Sequence, residues 1–430
     1  MLVIRKTEKI EGTINAPPSK SYTHRAVISA SLAEGTSEIS SPLASADCLS
    51  SVHGCKMLGA EIELEEEKWV INGGNLKTPE NIIDIGNSGT TLRILTGISS
   101  QIPKGYTILT GDESIRKRPM GPLLDALGQL GIEAFSSKLD GTAPIVVKSG
   151  KIKNDIVKIR GDMSSQFITS LMMTLPFSEK DSKIVLTTPL KSEPYLKITM
   201  DVLSKFGIKI DELKEKNEKG FFIKGNQSYK PCNYTVEGDY SSASYLVAAG
   251  VLMNSDITIK NLFKDSKQGD KEIINIVKEM GADVKVNDDK VVINGPYNLE
   301  GIDVDVTNIP DLVPTIAVLG CFTEGKTTIY NGEHVRLKEC DRLHACAVEL
   351  NKMGAKIEEK RDGLIIEGVG KLKGAELETY HDHRLVMAFT VAGMMAEGET
   401  IIKGEDAVKI SFPNFVDTMK SIGSMIVSRS

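Results

Sequence analysis

Apolar residues recur along the chain at helical spacing, stop at a glycine, and give way to β-branched residues spaced by two. In the stretch IINIVKEMG, Ile273, Ile274, Ile276, Val277 and Met280 form a helical stripe, and Gly281 stands where a left-handed residue ends a helix. Val284, Val286, Val291 and Ile293 then alternate as in half-buried strands, and Asn287-Asp288-Asp289 turns them into a hairpin. The same pattern surrounds Gly59, Gly131, Gly207, Gly354 and Gly423. Successive helix-ending glycines lie 72, 76, 74, 73 and 69 residues apart, and one sixth of 430 is near 72. A phase held six times predicts six copies of one folding unit.

The other half of each copy is a small-residue helical run, a turn and a short β-branched strand, as in 248–262, 319–332 and 392–404. One copy therefore reads strand, helix, strand, helix, strand, strand. The expected fold is α/β: two pseudo-threefold domains, each of three β-α-β-α-β-β repeats. The polar turn segment 225–231 and the extended Pro17-Pro18 pair suggest where the chain crosses between them. We expect a first domain over 20–230 and a second over 1–19 plus 231–430, with hinge crossings near 15–19 and 226–236. The N-terminal residues 2–14 are expected as a strand of the second domain.

Composition narrows the function. Lys plus Arg is 52 against 58 Asp plus Glu, a net charge of −6, with a single Trp. This argues against a general nucleic-acid binder but leaves room for a local basic pocket. The six cysteines form no C-x-x-C pair, which removes support for a zinc ribbon or a thioredoxin-like site. No run approaches 18 apolar residues, so no membrane span is expected. Sparse cysteines without a secretory leader point to a cytoplasmic protein with reduced thiols.

Unusual chemistry gathers in two classes of loop. One lies between a strand and a glycine-ended helix: 111–119, 191–195, 264–270 with Gln268, 333–342, and the segment holding Asp406 and Lys409. The other opens a small-residue helix: 18–25, 86–93, 161–166, 238–242, 308–311 and 381–384. Backbone N–H groups, hydroxyls and the helix dipole at such starts favour an anion. Plain N-capping explains the Ser, Asn and Asp in any one of them, Asp311 included. However, Lys20, Arg25, Arg93 and Arg384 fall in first turns, against the dipole preference, which suggests an anionic ligand. Residues 86–90 lack the lysine and length of a Walker A loop. His381 and His383 have no third ligand at metal-binding spacing, so no metal is expected. Cys340 is read as a packed thiol rather than a nucleophile.

The same loops carry P-S-K-S-x-T-H-R at 18–25, G-N-S-G-T at 86–90, R-K-R-P at 116–119, S-S-Q at 164–166, S-x-P-Y at 192–195, I-P-D at 309–311, K-E-x-D-R at 338–342 and D-H-R at 382–384. In this order they resemble the EPSP synthase family of enolpyruvyl transferases over nearly the whole chain. The resemblance implies two three-repeat domains with the active site in the cleft between them. It implies transfer of the enolpyruvyl group of phosphoenolpyruvate to the 5-hydroxyl of 3-phosphoshikimate, with phosphate released. No cofactor and no metal are implied; the expected partners are the two substrates, with neither nucleic acid nor membrane, and the enzyme is expected to be a monomer. By resemblance, Lys20, Ser21, Arg25, Ser164, Ser165, Gln166, Ser192, Tyr195, Asp311 and Lys338 would bind 3-phosphoshikimate. Lys20, Gly89, Arg118, Gln166, Arg342, Arg384 and Lys409 would bind phosphoenolpyruvate. Asp311 would be the base, Glu339 the proton donor, and Lys20 their assistant at the phosphate-bearing oxygen.

Two departures from the family pattern stand out: His334 replaces a common Asn, and Ile94 replaces a common Pro. Two rival readings fit less well. A transferase acting on UDP-N-acetylglucosamine would carry Lys-Asn near its start and a Cys in the loop at 111–121, where this chain has Lys20-Ser21 and no Cys. A non-catalytic six-repeat ring around DNA would need basic helices.

Overall fold

The computed structural model describes residues 1–213 and 218–429. The polar turn expected in the third copy runs partly through 214–217, which lie outside the described residues. Twelve α-helices stand among the described residues: α1 (Lys20–Leu32), α2 (Ala46–Met57), α3 (Gly89–Ile98), α4 (Gly121–Gln129), α5 (Ser165–Thr174), α6 (Glu193–Lys205), α7 (Tyr240–Leu252), α8 (Ile273–Glu279), α9 (Val313–Cys321), α10 (Arg342–Lys352), α11 (His383–Met395) and α12 (Phe415–Ser421). Two fall in each copy. All six helix-ending glycines have positive φ, from 79° at Gly131 to 116° at Gly59, as a left-handed helix stop requires.

The first helix of each copy is buried almost all round; every residue of α7 and of α9 is buried. Their Ala, Ser, Thr and Gly content lets helices approach closely in the core. At Gly97 in α3 a Cβ would lie 2.4 Å from Thr174 Oγ1 and 2.5 Å from Ser170 Oγ, both on α5, so only glycine permits that contact. The second helix of each copy is one-sided and covers the outer face of its sheet's core; on α6, Leu196, Ile198, Val202 and Leu203 are buried while Lys197 and Lys205 face solvent.

Each copy contributes one four-stranded sheet, six in all among the described residues. In copy two, Ile83–Asp84 runs parallel to Tyr106–Thr110, which pairs antiparallel with Ile145–Lys148, itself antiparallel to Ala134–Ser136. The parallel step carries the buried helix as its crossover, and the antiparallel step is the predicted hairpin.

Three sheets are completed by strands from elsewhere in the chain. Tyr234–Thr235 supplies the first strand of copy one, parallel to Gly35–Ser40. Lys9–Asn15 supplies the first strand of copy four, parallel to Asn254–Lys260. Leu2–Arg5 lies between Glu399–Ile402 and Met425–Ser428, and so fills the hairpin place that the short sixth copy lacks. The expectation of one strand over 2–14 is therefore corrected to two strands in different sheets. Lys6-Thr7-Glu8 breaks the apolar alternation, and Thr7 is fixed between them. Its N–H donates to the Met394 carbonyl at 2.9 Å, and its hydroxyl accepts from the Met425 N–H at 3.2 Å.

The chain forms two compact units, residues 18–236 and residues 1–17 with 237–430, each with three sheets and its own apolar core. No helix among the described residues is long and apolar enough to cross a membrane.

Candidate active site

In the unit formed by 1–17 and 237–430, the centre of the polar chemistry is Arg342, the first residue of α10, whose side chain is only 1% exposed. Its Nε donates to Asp382 Oδ2 at 2.7 Å, its Nη1 to Asp311 Oδ1 at 2.8 Å, and its Nη2 to Glu339 Oε2 at 2.5 Å. The planar fork of a guanidinium bonds three carboxylates in a fixed geometry, where a lysine ammonium would offer only a compact charge with rotatable donors. The carboxylates in turn hold the Arg342 proton well above its ordinary range, against the opposing cost of burial.

Asp311 sits in a single 3₁₀ turn ahead of α9. Its second oxygen accepts from Arg384 Nη2 at 2.6 Å, and Lys338 Nζ lies 3.5 Å from the first. The Asp311 carboxylate thus faces three cations, Arg342, Arg384 and Lys338. Asp382 does cap α11, accepting from the Arg384 N–H at 2.9 Å while it also holds Arg342. Cys340 Sγ lies 3.6 Å from Asp382, and burial with that carboxylate pushes the thiol far up, so it is a packed thiol and not an activated one. Lys409 stands on an exposed 3₁₀ turn, and its ammonium bonds Asp406 at 2.6 Å.

The unit formed by 18–236 holds the other predicted residues, in two groups. Arg25 on α1 is 2% exposed and joins α1, α5 and α6. It donates to Thr199 Oγ1 at 2.8 Å, to the Ser21 carbonyl at 2.9 Å, to the Tyr195 carbonyl at 3.3 Å and to Thr169 Oγ1 at 3.4 Å. None of these partners is a carboxylate, and burial pulls the guanidinium down to about 10. Ser192 precedes α6 in a left-handed conformation, φ 57° and ψ 36°, and its carbonyl accepts from the Tyr195 N–H. Lys20, at the start of α1, pairs with Asp47 at 3.1 Å.

The second group joins the starts of α3 and α5. Gln166 Nε2 donates to Thr90 Oγ1 at 2.9 Å, and its Oε1 accepts from Arg93, whose guanidinium lies 5.3 Å above the Phe167 ring. Arg118 donates to Asn87 Oδ1 at 3.1 Å and to Ser114 Oγ at 3.2 Å. A Cβ at Gly89 would lie 3.0 Å from an Nη atom of both Arg118 and Arg93, so the missing side chain leaves room for two guanidinium groups. Ser164 caps α5 through the Gln166 N–H, and Ser165 follows in its first turn.

Sequence reasoning did not select Asp47, Asp382 or Asp270. Asp382 was visible inside the D-H-R motif. Asp270 ends the loop noted for Gln268. Gln268 itself is a brace: it accepts from the Tyr240 N–H at 2.9 Å and donates to Glu237 at 2.6 Å and to the Gly238 carbonyl at 2.7 Å. Asp47 has no motif to mark it.

Six repeats in two units, with cations and carboxylates at the helix starts, define an enolpyruvyl-transferase fold. The solved structure of the enolpyruvyl transferase NikO from Streptomyces tendae shares it, with a TM-score of 0.81 over 99% of this chain and 98% of that one, at 17% identity. A structure of EPSP synthase from Acinetobacter baumannii covers 100% of this chain and 99% of its own, with a TM-score of 0.85 and 27% identity.

The family model for EPSP synthase (3-phosphoshikimate 1-carboxyvinyltransferase) matches residues 4–419. The chain is 77% identical over 426 residues to a 3-phosphoshikimate 1-carboxyvinyltransferase of Methanococcus maripaludis strain C6, covering 99% of both chains. It is 75% identical over 428 residues to that of Methanocaldococcus jannaschii, again covering 99% of both. The chain belongs to the EPSP synthase family.

Proposed function

We infer that this chain transfers the enolpyruvyl group of phosphoenolpyruvate to the 5-hydroxyl of 3-phosphoshikimate, releasing phosphate, as a step of the shikimate pathway. The observation that carries the reading is that one buried guanidinium, Arg342, bonds both Asp311 and Glu339. The reaction needs a base and an acid at fixed positions, and a rigid fork that anchors two carboxyl groups supplies them.

Asp311 takes the proton of the 5-hydroxyl as that oxygen attacks the central carbon of phosphoenolpyruvate. Glu339 gives a proton to the methylene carbon, which becomes a methyl group in a tetrahedral intermediate. The intermediate then loses a proton from that methyl and expels phosphate, which restores the double bond. Lys20 supplies charge at the phosphate-bearing oxygen. The cations beside Asp311 favour its ionised form, as a base requires.

Arg384, Arg342, Arg118, Gln166 and Lys20 serve phosphoenolpyruvate, with Gly89 giving close backbone approach. Lys409 is assigned to the same substrate by resemblance; its exposed ion pair with Asp406 would have to open first. Arg25, Ser21, Ser164, Ser165, Gln166, Ser192 and Tyr195 serve 3-phosphoshikimate, with Lys20, Lys338 and Asp311. Support for Arg25 comes from its burial among neutral partners, since an anion would provide the countercharge it lacks there. The test is phosphate release from phosphoenolpyruvate that requires added 3-phosphoshikimate. Release without that acceptor, or none with it, would overturn the assignment.

A further inference from the structure

In copy six, a short turn delivers Asp382 and Arg384 to the site. The Asp382 N–H donates to the Thr379 carbonyl at 2.8 Å, and both residues between them, Tyr380 and His381, have positive φ, 52° and 57°. Side chains with a Cβ rarely take this conformation, and turns that require it usually place Gly, Asn or Asp there. The corresponding turn of copy two, closed by the Ser88 N–H and the Ile85 carbonyl at 3.1 Å, has Gly86 at φ 56° in the place of Tyr380. A glycine would satisfy the backbone, yet copy six carries a tyrosine.

The Tyr380 hydroxyl has a definite partner. It donates to Glu349 Oε1 at 2.9 Å, and Glu349 Oε2 accepts from the Glu378 N–H at 3.0 Å. The Glu349 carboxylate is 1% exposed, and Lys352 bonds it at 2.7 Å from the surface side. Glu349 lies on α10, seven residues after Arg342 and so on the same side of the helix. Arg342 holds Asp382 at one end of the turn, and Glu349 holds Glu378 and Tyr380 at the other. The strained backbone is clamped to one helix at both ends, the setting in which such strain persists.

We propose that Tyr380 and Glu349 are positioning residues that lock the 379–382 turn onto α10, so that Asp382 meets Arg342 and Arg384 meets Asp311. Burial and the Glu349 hydrogen bond push the Tyr380 phenol up to about 12, which keeps it a donor at neutral pH. The inference rests on the assignment of Arg384 to phosphoenolpyruvate.

The experiment compares steady-state kinetics and calorimetry of Tyr380→Phe, Glu349→Gln, their double variant and Arg384→Ala. Tyr380→Phe keeps the ring and removes only the bond to Glu349. It is expected to raise KM for phosphoenolpyruvate about fivefold, the size of one net hydrogen bond, with kcat and 3-phosphoshikimate affinity within about twofold. Glu349→Gln retains an acceptor and is expected to lose less, and the double variant should fall short of the product of the singles.

An unchanged KM in Tyr380→Phe, beside a raised one in Arg384→Ala, would overturn the positioning role. So would equal losses for both substrates, which would assign the pair to general stability. An Arg384→Ala enzyme with normal phosphoenolpyruvate affinity would instead remove the assignment beneath the inference, and the inference with it.

Discussion

Asp270 lends itself to a measurement whose sign and size both follow from its surroundings. It lies buried in the 3₁₀ turn Gly269–Glu272, where the Ser241 hydroxyl donates to Oδ2 and Oδ1 is enclosed with no hydrogen-bond partner. Burial first, then the charge of Asp311, push its carboxyl from 3.8 up to about 7; Asp239 adds to this, while Arg384 and the Ser241 bond oppose it. Between those two values the folded protein binds more protons than the unfolded chain. Stability therefore falls as pH rises through that window and the loss is complete above about pH 7. A span of about 3 pH units at ~1.4 kcal/mol each sets the cost near ~4 kcal/mol at pH 8. Asp270→Asn removes the charge and keeps an acceptor for Ser241. It should stabilise its unit by ~2–4 kcal/mol at pH 8 and by about 1 kcal/mol or less at pH 4.5. Urea unfolding of both proteins at pH 4.5, 6 and 8 measures this as a shift of midpoint at constant slope. A gain of equal size at all three values, or a loss at pH 8, would refute the electrostatic account of Asp270.

Three further outcomes are expected. Asp311→Asn and Glu339→Gln should each lower turnover roughly 10²–10⁴-fold with little change in substrate affinity, read from kcat against KM. Near-normal turnover in either would remove that residue from proton transfer. Arg342→Met leaves Asp311, Asp382 and Glu339 without their shared cation and should cost ~3–5 kcal/mol in chemical unfolding. Gly89→Ala puts a methyl 3.0 Å from Arg118 and Arg93, so those side chains must shift by a few tenths of an ångström. A strain of ~1–2 kcal/mol there raises KM for phosphoenolpyruvate about tenfold, and an unchanged KM would show that neither arginine is sensitive to that space.

The repeat was legible because its signals are local. A helical stripe, a glycine that must be left-handed and a two-residue alternation each lie within about ten residues, and they agreed at all six glycines. The strand exchange was not legible. Leu2–Arg5 and Lys9–Asn15 each read as short apolar segments, and nothing local says that the first pairs with residues near 400 and the second with residues near 257. In the site, motifs located the cations and two of their partners, Asp311 and Glu339, but not the other carboxylates. Asp47 carries no pattern of its own, and Asp382 looked like a helix cap, which it is, while also anchoring Arg342. Lys409 carries no motif, and nothing local marks its exposed pairing with Asp406.

Cations near the starts of buried helices looked, in the sequence, like evidence for an anionic ligand; the structure keeps Lys20 and Arg384 in first turns but puts Arg25 and Arg93 in the second turns of α1 and α3. Lys20 and Arg384 already have carboxylates, Asp47 and Asp311, which offset their conflict with the helix dipole. An incoming anion at Arg384 must compete with Asp311 for the guanidinium. Arg25 is different: it is buried, and its bonds go to hydroxyls and carbonyls alone. A phosphate or carboxylate near Arg25 gains a full countercharge and breaks no ion pair. On the proposed assignment of Arg25, 3-phosphoshikimate would then be the ligand that binds without breaking an ion pair there. Phosphoenolpyruvate, drawing on Arg342 and Arg384 in its own proposed assignment, would redistribute the bonds of Asp311, the proposed base, which those guanidinium groups hold.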